Sequence, residues 1–413
     1  MKLPISGHTM LPSIFYRFWA NVTGCMAGEN KTWVVTTALA LGAIILGCGA
    51  VFGALQLARH SGQASAPAGV PQSPTQATEV INIAETAPNW WESSRQIYFD
   101  IPARILIKLP GADENKARRV IGQAWLEFDR MGRIFNPYDP ETEVAAINRS
   151  PSTEWTDISN ALYEIVQISK KLWTAADGCF DPTFLPVKRL WQEAEKTQKF
   201  PSGRQIQKTL QSTGFEKVTL RPDNGGQIRL KNPAVKFDFG GIAKGYALDQ
   251  VRQYLKHNGV ADGLLQLGGE IAAFGEKNAA GWRIGIQHPR NMAKIWGIIS
   301  SKTDIRVSTS GNYRQPIVIQ GQSVYHIFSP KTGQPVSVKV LGVTTVSFDG
   351  AHSNALLDGA ATAITVLGPA EGIELADKLG IEALILTGGS HEAIKETMTR
   401  GFPDLYERRE EAR

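Results

Sequence analysis

Val235-Lys236-Phe237-Asp238-Phe239-Gly240-Gly241-Ile242-Ala243-Lys244-Gly245-Tyr246-Ala247-Leu248-Asp249 opens as a strand, because Val235, Phe237 and Phe239 alternate with more polar neighbours. Gly240 and Gly241 then break it. A helix follows, with Tyr246, Leu248, Val251 and Leu255 available for its buried side. Strand, glycine turn and helix start together aim free backbone N–H groups at an anion, and Lys244 stands where a phosphate would lie. A tight connection carrying a solvated lysine has the same sequence, so this stretch must be weighed with the rest of the chain.

Outward from it, the chain alternates short β runs and glycine turns from Val218 onward, interrupted by long helical patterns at 244–257 and 352–367. A shorter helix is predicted at 371–379 and a last apolar strand at 383–387. Before the central stretch, residues 97–109 give strands, 117–131 a helix, 141–147 a short helix and 160–176 an amphipathic helix with Leu162, Ile165, Ile168 and Leu172 on one face. Strands and helices mix without a repeating βαβ period. This predicts an α+β fold, a single mixed α/β domain over residues 90–400, with a charged tail at 401–413.

Apolar residues are 42% and charged residues 20% of the 413, which is ordinary for a globular chain with a sizeable core. The net charge of +5 is scattered, with no basic run interleaved with aromatics, so nucleic-acid binding finds no support. Cys25, Cys48 and Cys179 have neither metal-knuckle nor disulfide-framework spacing.

Residues 33–58 contain no charged side chain, which is long enough to cross a bilayer with tilt. Lys2, Arg17 and Lys31 precede this run. After Arg59 there is no Lys or Arg until Arg95. The positive-inside bias therefore predicts a cytoplasmic segment at 1–31, a membrane anchor at 32–58, a flexible Ala/Pro/Gln/Ser-rich linker at 59–80, and a globular part outside the cytoplasm. Ile45-Leu46-Gly47-Cys48 also resembles a lipoprotein box, and signal cleavage is a third reading. All three put the domain on the same side.

Other stretches carry chemistry. Asp358 and Thr362 lie four residues apart on a predicted helix and so share a face. A carboxylate and a hydroxyl there suit a hard divalent ion such as Mg²⁺. A dipole-paired Asp358 and a back-bonded Thr362 would give the same pattern. Ser308-Thr309-Ser310-Gly311-Asn312-Tyr313 is a hydroxyl-rich turn for phosphate or ribose, or an ordinary Ser/Thr turn. His326, at a strand-to-turn junction, is a candidate base or a structural histidine. Glu270 follows Gly268-Gly269 at a strand end, and Tyr138 is free to stack on a ring or to be buried.

Taken in order, Tyr138-Asp139-Pro140 with Glu143 and Asn148, Gly178-Cys179-Phe180-Asp181-Pro182-Thr183 with Trp191, the central stretch, and Gly268-Gly269-Glu270 resemble the ApbE-like FAD:protein FMN transferase family. So do Trp282-Arg283-Ile284-Gly285-Ile286 with Pro289, Thr309-Ser310-Gly311-Asn312-Tyr313, His326 with Pro330-Lys331-Thr332-Gly333, and Asp358 with Thr362. The resemblance covers roughly residues 97–386. It implies Mg²⁺-dependent transfer of the FMN half of FAD onto a threonine or serine hydroxyl of a target protein, with release of AMP. By the same resemblance, Asp358, Thr362 and the carbonyl of Ala243 hold the metal. Tyr138, Thr183, Lys244, Glu270, Ser310 and His326 contact FAD. His326 is the base for the acceptor hydroxyl, Lys244 and Asp358 act at the phosphate, and Asp249 orients the turn and Lys244. The implied partner is a flavin-accepting protein of a membrane electron-transfer system, the implied location the bacterial inner membrane with the domain in the periplasm. The chain departs from the family at residues 99–103, where a Met-Gly-Thr segment is usual, and at Ser329, where an aspartate often precedes the proline. The competing readings are an FAD-binding module, a Mg²⁺-dependent FAD pyrophosphatase giving FMN and AMP, and a non-catalytic assembly factor.

Overall fold

The computed structural model describes residues 82–98, 100–149, 153–311, 317–336, 339–389 and 392–409. The cytoplasmic segment expected at 1–31, the anchor at 32–58, the linker at 59–80, Phe99, Asn312 and Tyr313 lie outside these residues. Among the described residues no helix is long and apolar enough to cross a membrane. Chain contacts group the described residues as one unit.

In chain order the strands are β1 (Ala84–Ala87), β2 (Trp90–Ile97), β3 (Ile101–Lys108), β4 (Thr156–Asp157), β5 (Val218–Arg221), β6 (Gln227–Leu230), β7 (Gly263–Leu267), β8 (Glu270–Phe274), β9 (Trp282–Gln287), β10 (Ile295–Ser301), β11 (Ile305–Gly311), β12 (Ile317–Ile319), β13 (Gln322–Val324), β14 (Val340–Phe348), β15 (Glu382–Thr387), β16 (Lys395–Met398) and β17 (Tyr406–Arg408). The helices are α1 (Glu114–Phe135), α2 (Glu143–Arg149), α3 (Asn160–Ala175), α4 (Leu185–Thr197), α5 (Gly203–Leu210), α6 (Ala243–His257), α7 (Asn354–Leu367) and α8 (Pro369–Leu379).

A 9-stranded sheet in the order β1-β2-β3-β7-β8-β11-β14-β15-β16 organises the domain. Its pairings are antiparallel. Both faces are buried. In β3, Ile105 and Ile107 join the core under the helices, while Leu106 joins a second core with Trp282, Ile299 and Phe402. β15 does the same, sending Ala383 and Ile385 one way and Leu384 and Leu386 the other. These strands therefore read as unbroken apolar runs rather than alternating ones. The helices cover one face and the small sheet β17-β10-β9 the other, so the expected mixed α+β class is what the chain adopts.

Three expectations are corrected. Val235–Phe239 is extended, and Val235, Phe237 and Phe239 are buried in alternation, but the segment joins no ladder beyond an isolated bridge from Lys236 to Phe184. A period of two requires only extended backbone between two packed faces. The backbone polar groups still need partners, and Asn148 supplies them: its Oδ1 accepts from Phe237 N at 2.7 Å and its Nδ2 donates to Phe237 O at 2.8 Å. The amide thus acts as one rung of a missing strand. Asn148→Ala is expected to destabilise the fold by about 2–4 kcal/mol, since it strips two buried backbone groups of their partners. An unchanged denaturation midpoint would refute this role.

The second correction concerns the chain end. Residues 401–413 are not a free charged tail as far as they are described: Phe402 is fully buried and β17 pairs with β10. Phe402 and Tyr406 are apolar anchors among the charges, and the Tyr406 hydroxyl donates to Glu396 Oε1 at 2.8 Å. Third, α4 and α5 occupy a region where no helix was predicted. Each is mostly polar and buries a narrow stripe, Val187, Trp191 and Ala194 in α4 and Ile206 in α5, in a satellite core with Phe328. The helices expected at 141–147 and 352–367 start two residues later, at Glu143 and Asn354.

Candidate active site

Three segments converge: the start of α6, the start of β8 and the first half of α7. α7 is set by two caps. Ser353 Oγ accepts from Leu356 N at 3.1 Å, and the Asp249 carboxylate accepts from Asn354 N and Ala355 N, each at 2.9 Å. Asp249 therefore orients the helix that carries Asp358 and Thr362, not the glycine turn. Phe135 of α1 holds α6 from the other side, in edge contact with Tyr246 at 5.5 Å and Phe239 at 6.0 Å.

Lys244 Nζ lies 3.3 Å from both carboxylate oxygens of Asp358 and 3.6 Å from Glu270 Oε1. It also donates to Gly240 O at 3.2 Å. Both acids are about 1% exposed. Burial alone would lower the ammonium's pKa, but Asp358 and then Glu270 outweigh it and hold it above the usual lysine range. Asp358 Oδ2 further accepts from Gly245 N at 3.0 Å. Thr362 Oγ1 is 3.3 Å from Asp358 O and 3.5 Å from both Gly241 O and Ser310 Oγ. Lys244, Glu270, Ser310, Asp358 and Thr362 thus form one cluster, although long stretches of sequence separate them.

The turn is not an open anion nest. Ile242 N and Ala243 N both donate to Phe239 O, at 2.9 and 2.8 Å, and Gly240 N to Asp238 Oδ1 at 2.8 Å. Anion binding here falls to side-chain cations. They face a cavity of about 580 Å³ lined by Tyr138, Lys188, Asp238, Gly240, Ala243 and Lys244 and walled by the β2–β3 hairpin and the end of α1. Such a volume suits a ligand of nucleotide size. Tyr138 is 45% exposed at this cavity.

Thr183 and His326 are not hydrogen-bonded to the cluster. Thr183 is fully buried, and its hydroxyl donates to Asp181 Oδ1 at 2.6 Å and accepts from Gly214 N at 2.7 Å. His326 Nδ1 is buried without a hydrogen-bond partner. Burial, then the charges of Lys188 and Lys244, push the imidazole down to about 4. The satellite core carries this loop: Trp191 Nε1 donates to Gly333 O at 2.9 Å, and its ring meets Phe328 at 5.6 Å.

Sequence reasoning missed Lys188. Its signal was a cation at the start of a helix whose first turn holds no acid. Lys188 Nζ lies 2.5 Å from Asp238 Oδ2, so this carboxylate joins the glycine turn to α4. The asparagine and Glu143 of the motif are structural: Glu143 accepts from Ser159 N at 2.6 Å and from its hydroxyl at 2.7 Å, tying α2 to α3.

Among the described residues no group of three or more His, Cys, Asp or Glu could hold a metal ion. The donors beside Asp358 are a hydroxyl and main-chain carbonyls, all oxygen, which is the set a hard cation with several retained waters accepts. The Lys244 ammonium meets this oxygen cluster as its positive partner. Ala243 lines the cavity, and Gly241 is the residue whose carbonyl approaches Thr362.

The chain is similar to known proteins over most of this domain. The ApbE family pattern matches residues 99–385. The FAD:protein FMN transferase of Escherichia coli K12 is 25% identical over 319 residues, covering 76% of this chain and 86% of that protein. The one from Rhodobacter capsulatus is 30% identical over 305 residues, covering 71% of this chain and 56% of that protein. The solved apo flavinyl transferase ApbE of Pseudomonas stutzeri shares the fold at a TM-score of 0.66 with 26% identity, over 76% of this chain and 96% of that one. The ApbE protein of Thermotoga maritima does so at 0.67 with 26% identity, over 78% and 100%. From the central stretch outward to the sheet that carries it, the chain belongs to the ApbE family.

Proposed function

We propose that this chain transfers the FMN half of FAD to a threonine or serine hydroxyl of a target protein and releases AMP. The observation that carries the reading is the Lys244–Asp358–Glu270 cluster at a cavity of about 580 Å³, in a chain of a family whose relatives are named FAD:protein FMN transferases. The acceptor oxygen attacks the FMN-side phosphorus, the bond from that phosphorus to the bridging oxygen breaks, and AMP leaves as an anion. His326 takes the hydroxyl proton, and Lys244 stabilises charge on the transferred group. Tyr138, Glu270 and Ser310 contact FAD, with Thr183 bracing the loop behind them. Asp358, Thr362 and a carbonyl of the turn, Ala243 or Gly241, would hold Mg²⁺, which when bound neutralises phosphate charge as a Lewis acid. The uncharged run at 33–58 anchors the domain to the bacterial inner membrane on its periplasmic side, near flavin-accepting proteins of membrane electron transfer.

The test uses the full chain in detergent with FAD, Mg²⁺ and an acceptor domain, read as a fluorescent band on a denaturing gel. The band is expected to vanish with chelator and return with Mg²⁺. Free FMN and AMP without a labelled protein would instead establish a pyrophosphatase, and bound intact FAD a binding module.

A pH prediction follows from His326. A base must be neutral to act, so its contribution is present above its pKa and lost as pH falls through it. With the imidazole pushed down to about 4, transfer at saturating FAD is expected to keep its rate from neutral pH to about pH 5. An acid limb centred near the ordinary histidine value of about 6.5 that disappears in His326→Gln would contradict it. Stability carries the same sign. The unfolded histidine binds a proton that the folded one refuses, so folding weakens as pH drops from about 6.5 towards 4.

A further inference from the structure

Lys188 is placed where packing gives no reason for a cation. α4 buries Leu185, Val187, Trp191 and Ala194, and its first turn holds no acidic residue, so the helix dipole works against a positive charge there. The Lys188 side chain is 33% exposed and its partner Asp238 10%, and ion pairs of this kind are weak evidence of a stabilising role. The exposed part of Lys188 lines the same cavity as Lys244. Its ammonium lies 5.6 Å from the centroid of the Tyr138 ring.

Donor count rather than net charge points the same way, since Lys188 is itself matched by Asp238. Lys244 meets two carboxylates, Asp358 and Glu270, and cannot by itself make that end of the cavity attractive to a pyrophosphate. An ammonium has three N–H donors. Asp238 Oδ2 takes one from Lys188, while its Oδ1 is committed to Gly240 N at 2.8 Å. The Tyr138 hydroxyl is within hydrogen-bond reach of a second, and the third is left for a ligand on the exposed side of the group.

We propose that Lys188 is a second phosphate-binding cation of this site, oriented by Asp238, and that it grips the pyrophosphate of the dinucleotide together with Lys244. The inference rests on the FAD reading above. It explains why the satellite core, through Trp191 and Phe328, couples α4 to the loop of His326. That coupling brings the Lys188 charge close enough to add to burial in holding the His326 imidazole down.

The test is FAD binding without acceptor, followed by flavin fluorescence on the full chain in detergent. Lys188→Met is expected to weaken FAD about ten-fold or more, as loss of one charge-assisted hydrogen bond does, and Lys188→Arg to restore most of it. Riboflavin, which has no phosphate, should lose less than about two-fold. Lys188→Met also leaves Asp238 without its ion-pair partner, so the substitution is repeated in an Asp238→Asn background. A direct phosphate contact keeps the loss there, whereas a purely structural lysine shows none. The Asp238→Asn arm decides alone if riboflavin binds too weakly to titrate. Equal loss for both flavins, or no loss in that background, overturns the proposal while leaving the FAD reading intact. A wild-type chain that binds no FAD overturns both.

Discussion

Asp358→Asn should reduce flavin transfer by at least about 10²–10³-fold, the scale of losing one preorganised charge at a reacting phosphate. The substitution nearly preserves volume, and its amide oxygen can still accept from Gly245 N, which now lies 3.0 Å from Asp358 Oδ2. What it removes is the negative charge facing Lys244 at 3.3 Å. Three consequences combine. The oxygen cluster loses the carboxylate that shares a helix face with Thr362. Lys244 keeps Glu270 at 3.6 Å but loses its nearer partner. Burial, which works against the ammonium and is outweighed chiefly by Asp358, then gains weight, so the lysine's pKa falls from its raised position. The experiment compares initial rates of acceptor labelling at saturating FAD and Mg²⁺, with thermal unfolding run alongside to show that the domain is folded. Asp358→Glu is the useful companion: it restores charge at the wrong reach, and should recover Lys244 without recovering transfer. A folded Asp358→Asn protein working within ten-fold of wild type would remove this carboxylate from the mechanism.

Much of this site was legible before any coordinates. Helical spacing located α1, α3, α6, α7 and α8 to within a few residues, because each buries a stripe wide enough to set a period. The motifs marked Lys244, Glu270, Ser310, Asp358 and Thr362, and the fold gathers all five. What stayed hidden is pairing between distant segments. Lys188 and Asp238 are 50 residues apart, Asn148 and Phe237 are 89, and Lys244 and Asp358 are 114. Local periodicity says nothing about such contacts. The extended stretch before Gly240 shows the limit well. Its alternation correctly predicted which side chains are buried, yet the partner for its backbone is a side chain rather than a strand. The same holds for Asp249, whose role in capping α7 rather than steering Lys244 depends on how two helices approach.

That approach sets the last expected result: Gly245→Ala should lower stability by about 2–3 kcal/mol, the upper part of the range for overpacking, and cut transfer at least about 10²-fold. Intrinsic helix preference argues the other way, since alanine is favoured over glycine within a helix by about 1 kcal/mol. Space decides the sign. A Cβ on Gly245 would lie 2.2 Å from Asn354 O, 2.5 Å from Asn354 C and 2.8 Å from Ala355 N. All three are main-chain atoms of the first turn of α7, and the Asp249 carboxylate pins that turn through two N–H groups at 2.9 Å. No side chain can swing aside, so α6 and α7 must separate. Separation stretches the Gly245 N–H bond to Asp358 and moves the neighbouring Lys244 away from its carboxylates, which is why a methyl group should harm catalysis as well as folding. Gly203→Ala is the control, because Gly203 opens α5 with nothing within 4 Å of its would-be Cβ. There the chain should be unchanged or more stable by up to about 1 kcal/mol through loss of unfolded-state entropy. Denaturant midpoints and transfer rates of both variants, measured side by side, separate the two effects. If Gly245→Ala were as stable and as active as wild type, the tight crossing of α6 and α7 could not be what holds the catalytic cluster together.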